Sequence, residues 1–458
     1  MMTWSMTQAE QIHPKNEREV NLVANCVKQS KSKVMRRVFG ISLALGLHMM
    51  ASAMPGLEPV NPFLAGLSKA EAVTTVDVRN FGAKGNGATN DTAAIQKAIN
   101  SLPSTGGVVV IPPGTYGIDA VTSLKLKSNV TLQMTPTTVL GVIPNAAAHY
   151  EVLSVGGVSN VNINSGVLYG DRLTHKATTG EHGFGVAILG SSNVTVTGTA
   201  SNNMWGDGFY IGNGPTFGSS LKTRSTNVQL IDVSADNNRR QGISLTSGKD
   251  ISIIRAKLTN TNGAAPSAGI DVEPNGKTDI LQNISIVDTY TANNQGAGIA
   301  LSLGAILGTT NPVTITVTNH TDDGSYQGMN ISGGQGIIPG TIRVDNPTWM
   351  NSKSNALAVV GVDYRGFSTT INNAKVVNAN TKAKGAAIAI YNYSTAVQLG
   401  NVAVNYASIT DNRTTKMTTA AFYAGTTVSS KPMQNVTIVK PILNGVKIGN
   451  VTTAKVTY

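Results

Sequence analysis

Asp250-Ile251-Ser252-Ile253 and Asn283-Ile284-Ser285-Ile286 stand one 33-residue step apart, and the chain keeps repeating them. A polar anchor followed by alternating apolar residues recurs at Asn129, Asn160, Asn193, Asn227, Asp250, Asn283, Pro312, Thr341, Thr370, Asn401 and Asn435, at intervals of 23 to 34 residues. Val194-Thr195-Val196 and Val436-Thr437-Ile438 follow their anchors in the same way. Period two and β-branched side chains are the marks of a strand. A second ladder runs between the anchors through Gly185, Gly208, Gly242, Gly269, Gly298 and Gly328. Each glycine is followed by an apolar residue and by another two positions on, as in Gly269-Ile270-Asp271-Val272. Two ladders in one period require at least two strands per repeat. Such a unit cannot bury its apolar side alone and must stack on its neighbours. The fold class is therefore all-β, a right-handed parallel β-helix of about 11 coils, each adding ~4.8 Å.

Composition agrees. The 458 residues are 41% hydrophobic and only 13% charged, with 48 glycines. A core this rich excludes global disorder. The single cysteine, Cys26, excludes a disulfide scaffold, a cysteine zinc site and a cysteine-ligated cluster. No heptads run through the chain, which excludes a coiled coil. The net charge of +11 favours polyanionic partners. Nucleic acid is a poor fit, since the basic residues are scattered and no aromatic stacking cluster accompanies them.

Residues 1–34 form a polar leader that reads as a mis-called start. Met35-Arg36-Arg37, the apolar run Val38 to Leu47 and Ala51-Ser52-Ala53 then follow in the order of a secretory signal. The apolar run is too short to span a bilayer. The expectation is a signal peptide over 35–53, a secreted or periplasmic product without membrane insertion, and one β-helix domain over 76–450, monomeric or trimeric. Asn90-Asp91-Thr92 precedes the amphipathic Ala93–Ile99, an N-capped helix placed to cover the open end of the stack.

Val76-Asp77-Val78-Arg79-Asn80-Phe81-Gly82-Ala83-Lys84-Gly85, then Gly106-Gly107 and Ile111-Pro112-Pro113-Gly114-Thr115-Tyr116, resemble the opening motif of the pectate-lyase superfamily. This is the bacterial, polygalacturonase-related group of β-helix proteins. The resemblance implies the fold and polysaccharide chemistry, but the scaffold carries hydrolases, lyases, epimerases and phage tail spikes. The polygalacturonase pattern is incomplete: Asn-Thr-Asp before an Asp-Asp pair, Gly-His-Gly and Arg-Ile-Lys are all missing.

Alternation locates a site. If Ile270 and Val272 face the core, Asp271 and Glu273 face out on one side, with Cα atoms ~6.5–7 Å apart. Matching positions form two columns, Ala187, Tyr210, Ser244, Asp271, Ala300, Asn330 and Leu189, Gly212, Thr246, Glu273, Ser302, Ser332. Only one coil carries paired carboxylates. Asp207 and Arg239-Arg240 stand in turns just before neighbouring strands. Asp207, Asp271 and Glu273 are the candidate catalytic carboxylates. Arg240, Arg239, Tyr210, Asp171, Arg172, His175, Glu181 and His182 are the candidate substrate-binding residues. Asp322-Asp323-Gly324 reads as an ordinary turn, and neither a metal nor a cofactor is called for. Two carboxylates suit glycoside hydrolysis. A lyase or C5 epimerase on an acidic polysaccharide would instead use Arg240, Tyr210 and His182, and the resemblance extends to lyases whose base is an arginine. A carbohydrate-binding or adhesin β-helix without turnover is the third reading.

Overall fold

The computed structural model describes residues 73–392, 398–426, 433–451 and 454–458. The expectations for residues 1–53 lie outside them. From Thr75–Asp77 to Lys455–Thr457 the chain winds through three parallel sheets of 14, 13 and 12 strands. Neighbours within a sheet come from successive coils, which gives about 12 turns. Two strands of the 14-stranded sheet, Thr75–Asp77 and Gly107–Val110, precede the first asparagine anchor.

The anchors turn the chain. Asn129, Asn160, Asn193, Asn227, Asp250, Asn283, Asn401 and Asn435 hold φ between 50° and 65°, a left-handed region that asparagine and aspartate tolerate. Their side chains also bond from coil to coil: Asn160 to Asn129 at 2.8 Å, Asn193 to Asn160 at 3.0 Å and Asn227 to Asn193 at 2.9 Å. The glycine ladder has a different cause. A Cβ on Gly185, Gly208, Gly242, Gly269 or Gly298 would lie 2.5–2.7 Å from the carbonyl oxygen of the next glycine in the ladder. Only a residue without a side chain lets these backbones stack.

Between the ladders the core is a set of columns. Phe209, Ile243, Ile270, Ile299 and Met329 pair in register and are fully buried. Each such side chain contributes ~1.5–3 kcal/mol by leaving water. The helix Thr92–Ser101 buries Ile95, Ala98 and Ile99. Asn90, one position before the N-cap residue Asp91, accepts from the Thr92 N–H at 3.1 Å. Asp91 accepts instead from the Lys84 and Gly85 N–H groups. Gln96 bonds both ways to the backbone of Lys125, at 3.0 and 2.8 Å. Lys125 lies on the edge strand of the 12-stranded sheet, so the helix satisfies an edge that stacking leaves open. Asp322 departs from its reading as a turn residue. It lies in the strand Thr321–Asp323, fully buried, where Ser325 and Thr291 donate to its carboxylate.

Candidate active site

The outward columns form as alternation requires. Ala187, Tyr210, Ser244, Asp271, Ala300 and Asn330 are successive register partners. Leu189 pairs with Gly212, and Ser302 with Ser332. Thr246 and Glu273 lie one residue beyond the strands Gln241–Leu245 and Ile270–Val272. A cavity of about 390 Å³ opens over these columns. Tyr210, Arg240, Ser244, Thr246, Asp271 and Glu273 line it, with His182, Phe217, Lys222 and Asp279 around them.

Asp271 faces outward but is not exposed: only 1% of its surface meets solvent. It lies on the cavity floor, where its Oδ2 accepts from Gln241 Nε2 at 3.0 Å. Its Oδ1 is buried and has no partner among the described residues. Burial, followed by the charge of Glu273, pushes its pKa well above the usual carboxylate range, and the Arg240 guanidinium offsets this only in part. Burial thus favours the neutral form of Asp271, with the Glu273 carboxyl beside it. The Glu273 side chain is 44% exposed at the cavity mouth. The chain has placed a buried and an accessible carboxyl two residues apart.

Arg240 ties the acidic groups together. Its Nη1 lies 3.1 Å from Asp207 Oδ2, its Nη2 3.7 Å from Glu273 Oε2, and its Nε 4.0 Å from Glu181 Oε2. Asp207 is not in the turn expected for it. It opens the strand Asp207–Gly212, is fully buried and also accepts from Ser244 Oγ at 2.8 Å. Burial raises its pKa to about 6, with Arg240 working against that rise. It stands behind Arg240 and does not line the cavity. Its place is that of a residue holding the arginine. Burial and Arg240 hold His182 below the usual histidine range, so its ring is neutral near pH 7. Burial likewise raises the Tyr210 hydroxyl.

Asp171, Arg172, His175 and Arg239 are placed elsewhere. Asp171 accepts from the Tyr150 hydroxyl at 2.7 Å and meets His175 Nδ1 at 2.8 Å. His175 stacks on Trp205, and Arg239 lies 4.0 Å from the Trp205 ring centroid. Arg239 also donates to the Gly180 carbonyl. Arg172 donates to the carbonyls of Asn237 and Asn238 and to Asn262 Oδ1. Together they strut the loop that delivers Glu181 and His182, and none lines the cavity.

Gln241, Phe217, Lys222 and Asp279 are site residues that were not among the candidates. Gln241 had a signal, since it precedes Gly242 as Asp207 precedes Gly208, and the two are register partners. Phe217, Lys222 and Asp279 sit in loops without period, so nothing marked them. Among the described residues, no group of three or more His, Cys, Asp or Glu side chains is placed to hold a metal ion.

A family model described as "Rhamnogalacturonase A/epimerase, pectate lyase-like" matches residues 75–303. The "Uncharacterized protein YclG" of Bacillus subtilis (strain 168) is 26% identical over 354 residues, covering 66% of this chain and 58% of that protein. The chain spans less than two thirds of the curated relatives it matches. The mannuronan C-5 epimerase AlgE4 A-module of Azotobacter vinelandii superposes with a TM-score of 0.62 at 16% identity, over 84% of this chain and 97% of that one. The Family 28 exopolygalacturonase of Yersinia enterocolitica gives 0.58 at 16% identity, over 84% and 77%. At these identities the likeness is one of fold, the right-handed parallel β-helix.

Proposed function

Because the chain belongs to the rhamnogalacturonase A/epimerase, pectate lyase-like family, we propose that it is a carbohydrate-active enzyme that hydrolyses a glycosidic bond of a polysaccharide. The observation that carries this reading is a pair two residues apart: Asp271, buried and with its pKa raised, and Glu273, at the mouth of the same cavity. Asp271 gives its proton to the glycosidic oxygen as the bond to the anomeric carbon breaks. Glu273 takes a proton from the water whose oxygen bonds that carbon. Two chain ends result, and solvent returns both carboxyls to their starting states. Arg240 restrains Glu273 and carries positive charge into the cavity, as Lys222 does at its wall, which suits an acidic sugar. Asp207 fixes Arg240 from behind.

A second reading draws on His182. Neutral and at the cavity wall, it could take a proton from a uronate carbon while Arg240 holds the carboxylate, as a lyase or C5 epimerase requires. The two readings separate in one assay of the full chain on a panel of polysaccharides. Hydrolysis gives new reducing ends without an unsaturated product. A lyase gives an ultraviolet-absorbing unsaturated sugar, and an epimerase gives neither. Export belongs to the same reading, with cleavage after Ala53. N-terminal sequencing of exported material that begins near Met54 would support it, and material that keeps residues 1–50 would overturn it.

A further inference from the structure

One side of the cavity is built differently from the other. Between the strands Asp207–Gly212 and Thr226–Ile231 the chain makes a long loop, residues 213–225. The loop does not stay on its own coil. Phe217 stacks on His149 with ring centroids 4.6 Å apart and planes 16° off parallel. His149 lies two coils back, since His149–Gly156 pairs with His182–Leu189, which pairs with Asp207–Gly212. Pro215 reaches the same coil: a Cβ on Gly156 would lie 2.0 Å from its carbonyl oxygen, and one on Gly157 would lie 3.1 Å from its Cβ.

The residues beneath are buried where alternation points them outward. Ala187 is 0% and Leu189 1% exposed, and they pack with Phe184 and Tyr210 under Phe217. This is a small apolar core on the outside of the solenoid. The loop is also pinned at its neck. The Gly214 N–H donates to the Thr223 carbonyl at 2.8 Å. Asn213 Nδ2 donates to Asp279 Oδ1 at 2.5 Å, while Asp279 Oδ2 accepts from the Asn275 and Gly276 N–H groups. Toward the C-terminal coils the columns continue as Ala300 and Ser302, then Asn330 and Ser332, all short side chains. Ser302, Asn330 and Ser332 are partly exposed.

We propose that residues 213–225 close the groove at its N-terminal side, so that the site takes the end of a polysaccharide chain and not its middle. The end sugar meets the wall of Phe217, His182 and Tyr210, and the rest of the chain leaves over Ala300 and Ser302. This inference rests on the polysaccharide reading above. An apolar packing, pinned at its neck by the Asn213–Asp279 bond, makes the barrier, so the mode of attack is a property of the resting protein.

The test uses the full chain on polygalacturonate, alginate and a soluble glucan. Reducing ends and viscosity are followed together, and each polymer is offered both free and with its ends chemically blocked. The expected result is release of short products while viscosity holds, and loss of release when the ends are blocked. A Phe217→Ala, Asn213→Ala variant should lower viscosity further for each bond broken, and its thermal unfolding should show that the solenoid stands. An early fall in viscosity in the wild type, or equal attack on blocked and free chains, overturns the closed end and leaves the hydrolase reading intact. If no polymer reacts, binding of free and blocked oligosaccharides decides the point: a preference for free ends supports the wall, and equal binding overturns it. The absence of both turnover and binding overturns the polysaccharide reading, and this inference with it.

Discussion

Gln241 donates its side-chain amide to Asp271 at 3.0 Å, and Gln241 occupies the register position that Asp207 holds one coil earlier. The Gln241 carbonyl oxygen accepts from the Ala268 N–H at 2.8 Å, which fixes the orientation of the amide. Asp271 is therefore aimed by a donor that remains compatible with its protonated form, through the carbonyl oxygen of that form.

The first prediction concerns pH. Activity that needs Asp271 protonated falls as pH rises through its elevated pKa. The Glu273 charge is the second cause of that elevation. In Glu273→Gln the Asp271 carboxyl should therefore titrate at lower pH than in the wild type. Side-chain carboxyl titration followed by NMR reads this directly, and an unchanged or higher value contradicts the coupling.

Arg240 gives a second prediction. Removing one partner of a buried ion pair costs ~3–5 kcal/mol, because the other charge is left behind. Asp207 is fully buried beside Arg240. Arg240→Met should be destabilised by about that amount near pH 8. The Asp207 pKa is about 6 with Arg240 present and rises without it. Acidification then neutralises the stranded carboxylate, so the deficit should shrink toward pH 5. Denaturant midpoints at the two pH values check this, and an equal deficit at both would contradict it.

The glycine ladder supplies a third. A Cβ on Gly269 would lie 2.7 Å from the Gly298 carbonyl oxygen, and backbone cannot yield as a flexible side chain does. Overpacking of this kind costs ~1–3 kcal/mol. Gly269→Ala should lower the melting temperature, while Gly198→Ala, which meets nothing within 4 Å, loses only what its left-handed backbone costs.

These variants also mark how far the sequence could be read. Asn193, Asn227, Gly242 and Gly269 recur because every coil repeats the same backbone problem, so the fold and the two outward columns were legible. Asp271 and Glu273 stood out as the one acidic pair in those columns. Their depth was not legible, because it depends on loops. Phe217 finds His149 across a span that has no period. Asp171, His175 and Arg239 looked like binding residues because polar loop side chains carry no mark of direction. Only their packing around Trp205 shows that they turn inward.

A buried polar chain away from the groove gives a fourth prediction. Trp349 Nε1 donates to His320 Nδ1 at 3.2 Å, so Nε2 carries the hydrogen toward Thr291 Oγ1 at 2.8 Å, and Thr291 donates to Asp322. Burial lowers the His320 pKa to about 3, below its ordinary ~6.5. The unfolded chain thus takes up a proton first as pH falls. The stability that His320 contributes is complete above ~6.5 and is lost progressively toward 3. His320→Gln should be less stable than the wild type near pH 7 and should lose stability less steeply with acid. Melting temperatures across that range test the slope, and parallel curves would contradict it.

The central claim is that Asp271 is the proton donor of a glycoside hydrolase. Asp271→Asn tests it most directly, because it removes the ionisable proton, keeps the shape of the side chain and leaves the Gln241 amide an oxygen to meet. Proton donation by a positioned acid contributes ~10²–10⁴-fold. The decisive measurement is reducing-end release by wild type, Asp271→Asn and Ser302→Ala on the reactive polysaccharide, with melting temperatures alongside. The account predicts a loss of that order in Asp271→Asn alone, with all three melting temperatures close together. Release by Asp271→Asn at the wild-type rate would contradict it.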